Sequence, residues 1–128
     1  PENNHLYDRD TKFLAKESFM ISEIIREKII RFLGEELPHE TFVQLQKVED
    51  KENIINIDAE IIVARESQKG IVVGKNGAKL KKIGEKARMD LEKFFNKKVF
   101  LKTWVKTKKN WNNDSDFISS LGIGSLYD

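Results

Sequence analysis

Cysteine is absent from this chain, and histidine occurs only at His5 and His39. The first absence excludes a disulfide framework and a thiolate metal site. The second leaves no histidine cluster to hold a metal or to act as a catalytic base. No apolar run approaches the roughly 20 residues of a membrane-spanning helix, and no signal-peptide pattern opens the sequence, so the expected location is cytoplasmic. Interior repeats and low-complexity linkers are missing as well, which argues against several units strung together. The first residue is Pro1 rather than Met, as expected for a piece of a longer protein.

What remains, 128 residues with 39% hydrophobic and 34% charged, suits one soluble domain with a heavily charged surface. The net charge of +2 conceals an asymmetry. Residues 1–66 hold 9 Lys and Arg against 15 Asp and Glu, whereas 67–128 hold 14 against 6. All 14 of those cations lie in 67–111, where the only acids are Glu85, Asp90 and Glu92. Such a stripe attracts polyanions. Thirteen of the fourteen are lysines, which favours attraction to backbone phosphate over bidentate base reading.

Hydrophobic periodicity orders the chain. Met20, Ile21, Ile24, Ile25, Ile29, Phe32 and Leu33 recur at three and four residues and predict a helix over about 17–33, ended by Gly34. Residues 1–17 are expected to be a loose arm or a short helical turn, with Phe13 and Leu14 as anchors. Val43 and Leu45 mark a strand over 41–49. Ile55, Ile57, Ala59, Ile61 and Val63 alternate with more polar residues in a second strand, paired with the first as a hairpin. A short helix over 69–73 precedes a glycine turn. Leu80, Ile83, Ala87, Leu91, Phe94 and Phe95 then give a second amphipathic helix, with Gly84 inside it for close packing. A third strand over 99–106 puts Phe100 and Trp104 on its outer face, where a hydrophobic seam against another domain or the C-terminal tail is expected ahead of a stacking platform. A turn over 110–114 and a last short helix capped by Ser115 complete the reading.

The turn Gly74-Lys75-Asn76-Gly77 carries the chemistry. Two glycines let the main chain bend sharply and approach phosphates, and the helix that follows aims its N-terminal N–H groups at an anion. A nucleotide-binding P-loop is excluded on two counts: Gly70 and Gly74 stand one residue too close, and Asn76 replaces the Ser or Thr that would hold magnesium.

The blocks Ser22–Lys28, Glu36-Leu37-Pro38, Gln68–Gly77, Leu80–Gly84, Ala87-Arg88, Leu91-Glu92, Val99–Leu101, Trp104–Lys106, Trp111 and Leu121-Gly122 resemble, in this order, a type II KH domain. The form they resemble is the one at the C-terminus of the Era family of bacterial GTPases. The match covers roughly 20–122. It implies an α+β fold in the order α-β-β-α-α-β, with three helices packed on one face of a three-stranded sheet. Residues 18–112 would form that domain, after an arm over 1–17 and before a short helix and tail over 113–128. The resemblance also implies an RNA-binding part of a GTPase, reading the single-stranded 3′ end of 16S ribosomal RNA during assembly of the small ribosomal subunit. The chain itself lacks the GTPase motifs G-x-x-x-x-G-K-[ST], D-x-x-G and N-K-x-D, so its partner would be a GTPase domain of the same parent chain. A monomer is expected, in the cytoplasm, with peripheral inner-membrane association open to the parent.

The expected mechanism is binding without catalysis, metal or cofactor. Gly74 and Gly77 admit the RNA, Lys75 and Asn76 meet phosphate or sugar, and Lys69, Lys79 and Lys82 extend the positive track beside Gly70. Ile71 and Val72, with Ile62 from the second strand and Leu80 and Ile83 beyond the turn, would floor a narrow groove. Main-chain groups and polar groups near Arg65 would read base edges. The alternative is a protein-interaction module that uses the outer sheet face. Ordinary core packing would equally explain Ile71, Val72 and Ile83, and a solvated face would explain Lys81, Lys86, Lys97 and Lys98.

Overall fold

Ile21, Ile25, Ile29 and Leu33, four residues apart, form the buried stripe of helix α1 (Thr11–Leu33). A computed structural model describes residues 11–38 and 40–109, with backbone alone for 11–14. The helix starts at Thr11 and so takes in residues expected to be arm. Residues 11–16 contain no Gly or Pro to stop a helix, although they lack an apolar stripe to reveal one. Gly34, at φ +53°, ends it, and a single 3₁₀ turn (Gly34–Glu36) follows.

Strands β1 (Phe42–Asp50) and β2 (Ile54–Val63) form the expected antiparallel hairpin, with Val43 opposite Ile61 and Val48 opposite Ile57. A register shift between Leu45 and Lys47 marks a bulge. Helix α2 (Glu66–Val73) begins three residues earlier than its apolar run implied. The Gln68 side-chain oxygen accepts hydrogen bonds from the N–H groups of Ala64 (3.0 Å) and Arg65 (2.9 Å), which satisfies donors at this helix start. After the glycine turn come α3 (Ala78–Phe95) and β3 (Lys98–Thr107). Strand β3 pairs in parallel with β2, from Ile54 opposite Lys98 to Val63 opposite Thr107. A parallel pair requires a crossover, and α2 and α3 supply it.

The sheet order is β1-β2-β3, so β3 is an edge strand. Ile55, Ile57, Ala59, Ile61 and Val63 face the helices and share one core with Ile21, Ile25, Val72, Ile83, Ala87 and Leu91. This is the expected α+β arrangement, with three helices on one sheet face. The last turn and short helix, with Trp111, lie outside the described residues.

Among the described residues Lys28 is the cation drawn furthest into the structure, its side chain 5% exposed between α1 and α3. Its ammonium contacts Asp90 and, at 2.6 Å, Glu27. The hydrogen bond to Asp90, then that to Glu27, raises the Lys28 pKa, and the Lys28 bond lowers that of Asp90. Asp90→Ala removes the stronger of the two partners and leaves the buried ammonium on Glu27 alone, which should cost about 1–2 kcal/mol in urea unfolding. Lys28→Met removes the cation and keeps the volume, so it should be nearly neutral. Equal losses in the two variants would disprove this account.

Candidate nucleic-acid interface

Gly74 has φ +75° and ψ +177°, a region open in practice to glycine alone. Its N–H closes α2 by bonding the Gly70 carbonyl (2.9 Å), and its own carbonyl accepts from the N–H of Gly77 (3.2 Å). Asn76 (φ +56°) and Gly77 (φ +75°) are both left-handed. These consecutive turns put the Lys75 and Asn76 side chains in solvent, and α3 starts at the next residue, Ala78. The loop is therefore a protruding knuckle with one cationic and one amide side chain at its tip, next to a helix N-terminus.

From Gly77 an open groove of about 450 Å³ runs along α3, walled by Leu80, Lys81, Gly84, Glu85 and Arg88 and, on the other side, by Leu101 and Thr103 of β3. Gly84 explains its width. A Cβ built there would sit 3.5 Å from the Thr103 hydroxyl, so the missing side chain is groove space. Among the described residues β3 is an edge strand, so the backbone groups on its far side face no described strand and can bond a ligand's polar edge.

Glu92 holds the walls together. One carboxylate oxygen accepts from the N–H of Val99 (3.1 Å), at the start of β3, and the other from Arg88 (3.1 Å). The Val99 bond, followed by the Arg88 charge, lowers the Glu92 pKa. The lowered value means a stabilisation that is present above the ordinary carboxylate range and lost as pH falls through the folded-state value. Urea midpoints measured from about pH 7 to pH 3 should fall less steeply in Glu92→Gln than in the parent, and identical slopes would count against the clamp.

Several expected site residues are placed differently. Val72 and Ile83 are fully buried in the core, so neither presents surface to a base; of the apolar residues flanking the loop, Ile71 is open, at 39% exposure. Ile62 is 1% exposed and belongs to the opposite sheet face from Ile61 and Val63, so it does not floor the groove. Lys79 bonds the carbonyl of Phe32 (3.4 Å) in the last turn of α1, and Lys82 stands 5.7 Å from the Phe32 ring centroid. Both lie on the α1 flank of α3, where the negative end of the α1 dipole attracts them. Arg65 and Gly70 are exposed, Lys69 is half-buried, and Leu80 both touches the core and lines the groove. Sequence reasoning missed Lys81, Gly84, Glu85, Arg88, Leu101 and Thr103 as the groove. The helical spacing of Gly77, Lys81, Gly84 and Arg88 was the signal that could have found its α3 wall.

Comparison with known proteins places this geometry. The family described as KH domain matches residues 36–112. The GTPase Era of Thermoanaerobacter sp. (strain X514) is 45% identical over 124 residues, which cover 95% of this chain and 41% of that protein. The GTPase Era of Neisseria meningitidis serogroup C is 43% identical over 123 residues, covering 96% and 40%. The chain thus spans about two-fifths of the length of these relatives. A crystal structure of Aquifex aeolicus Era bound to GDP and aluminium fluoride superposes with a TM-score of 0.75 at 34% identity, over 82% of this chain and 36% of that one. A crystal structure of Era with MgGDPNP and nucleotides 1506–1542 of 16S ribosomal RNA matches with the same TM-score, identity and coverage.

Proposed function

The chain belongs to the KH domain family, and on that premise we propose that it binds single-stranded RNA, held by the Gly74–Gly77 knuckle and laid along the groove between α3 and β3. The observation that carries the proposal is the continuity of the two: the groove begins at Gly77, where the knuckle ends. A phosphate meets Lys75, Asn76 and the first N–H groups of α3. The next bases rest on Leu80, Gly84 and Leu101, and their edges bond the free backbone of β3. Lys81 and Arg88 supply positive charge along the wall.

By similarity to Era bound to 16S ribosomal RNA, the preferred ligand is the 3′ end of that RNA. The parent protein would then be a cytoplasmic GTPase that acts on the small ribosomal subunit, with this chain as its non-catalytic, monomeric RNA-binding part. No described helix is long and apolar enough to cross a membrane; a peripheral association of the parent with the inner membrane belongs to the same reading.

Fluorescence anisotropy tests this. Short single strands from that region should bind more tightly than a hairpin stem of equal length, and affinity should fall steeply with salt as counterions are released. Gly84→Ala fills the groove with a methyl group that has room beside Thr103. Its helix gains about 1 kcal/mol in propensity, so thermal stability should hold or rise while RNA affinity drops several-fold. Equal affinity for stem and open strand would refute the proposal, and salt-independent binding would favour a protein-interaction module.

A further inference from the structure

Strand β3 has two faces, and the groove uses one. On the other, Lys98, Phe100, Lys102, Trp104 and Lys106 alternate cation with aromatic, spaced about 6.6 Å from each residue to the next. Phe100 is 57% exposed, the most open large apolar side chain described. None of the three lysines has a carboxylate within 4 Å among the described residues. The two acids of the neighbouring strand are set back from this ladder. Glu60 is 8% exposed, and its oxygens accept from the Trp104 indole N–H (2.8 Å) and from Gln46 (3.0 Å). Asp58, opposite Lys102 in register, is half-buried. The indole is thereby fixed, with the Lys102 ammonium 5.9 Å from its ring centroid.

We propose that this outer face of β3 is a second single-stranded RNA contact, continuous with the groove, in which an unpaired base stacks on Phe100 and the adjoining phosphates meet Lys98 and Lys102. The proposal rests on the RNA-binding reading of the groove and extends it. Leu101 and Thr103 line the groove from the same strand, and no further strand flanks its edge among the described residues. An RNA strand leaving the groove needs only to turn over that edge to reach Phe100. The alternation itself distinguishes RNA from protein as the occupant. A protein-docking face gathers its apolar groups into a contiguous patch, whereas here each aromatic has a lysine two residues away on either side. An exposed ring flanked by cations is the form in which single-strand readers stack bases and pair phosphates without sequence preference.

The test compares a four-nucleotide RNA, enough to fill a KH groove, with a ten-nucleotide RNA that extends it, both bound to the full 128-residue chain. Phe100→Ala should weaken the longer RNA by about fivefold or more, the scale of one lost base stack, and leave the shorter within about twofold. Phe100→Tyr should restore the affinity. Lys102→Ala should reduce the salt slope of the longer RNA by about one unit and leave that of the shorter unchanged. Equal effects on both lengths would overturn the inference, since the substitution would then act through the groove. No effect on either would also overturn it and leave the face to a protein partner. If the short RNA fails to bind while the long one binds through Phe100, the groove reading falls and this contact stands. If neither binds, both fall.

Discussion

Replacing Gly74 with alanine is expected to be the most destabilising single change in the loop, costing about 2–4 kcal/mol, the sum of backbone strain and overpacking. The backbone there, at φ +75° and ψ +177°, excludes a Cβ by itself. Packing adds a second obstacle, because a Cβ would lie 2.6 Å from the Cβ of Lys79 and 3.1 Å from its backbone N. Neither atom is the free end of a side chain, so relief requires moving the first turn of α3. Gly77 is the internal control. Its φ is also +75°, yet ψ is 8° and nothing lies within 4 Å of an added Cβ. Gly77→Ala should therefore cost only about 1–2 kcal/mol, the left-handed penalty, and Gly77→Asn less still. Urea unfolding of the three variants decides the matter. If Gly74→Ala and Gly77→Ala lose the same stability, the close approach of Lys79 is not what fixes the first glycine.

The elements legible in the sequence are those whose period survives folding unchanged. Ile21, Ile25, Ile29 and Leu33 mark one helical face, and Ile55 to Val63 alternate, because each set buries a single side against a single core. The glycine knuckle was legible for a similar reason: its geometry is local. The groove was not, because both flanks of α3 carry lysines, and the flank that meets α1 depends on where Phe32 packs, 47 residues before Lys79 in the chain. Lys79 and Lys82 thus read like Lys81, although they face opposite ways. Ile62 misled in another manner. An apolar residue on the polar side of an alternating strand suggested a ligand floor, but it lies across the sheet from the helices. The edge position of β3 comes from a parallel pairing between Ile54 and Lys98, a long-range contact with no signature in either strand.

Lys75→Asp combined with Asn76→Asp should abolish most RNA binding and leave the fold intact. Both side chains are exposed, and Lys75 has no carboxylate within 4 Å among the described residues. Neither substitution therefore breaks an ion pair. Asn76 sits at φ +56° and ψ +26°, a conformation that Asp tolerates nearly as well as Asn. The new carboxylates would also stand just ahead of the N-terminus of α3, whose first turn holds no acid. There the helix dipole favours negative charge by about 0.3–1 kcal/mol, so thermal stability should be unchanged or slightly higher. Binding should respond in the opposite sense. The same carboxylates compete for the N–H groups meant for phosphate, repel the incoming strand and remove one cation. Surface charge pairs are worth about 1 kcal/mol or less each, but lost attraction, new repulsion and an occupied anion site act together. An affinity loss of about tenfold or more is expected, about 1.4 kcal/mol, with a salt slope lower by about one unit. Anisotropy titrations at two salt concentrations beside a thermal melt measure both sides of this forecast. A double variant that melts like the parent and still binds RNA like the parent would show that the knuckle is not the clamp.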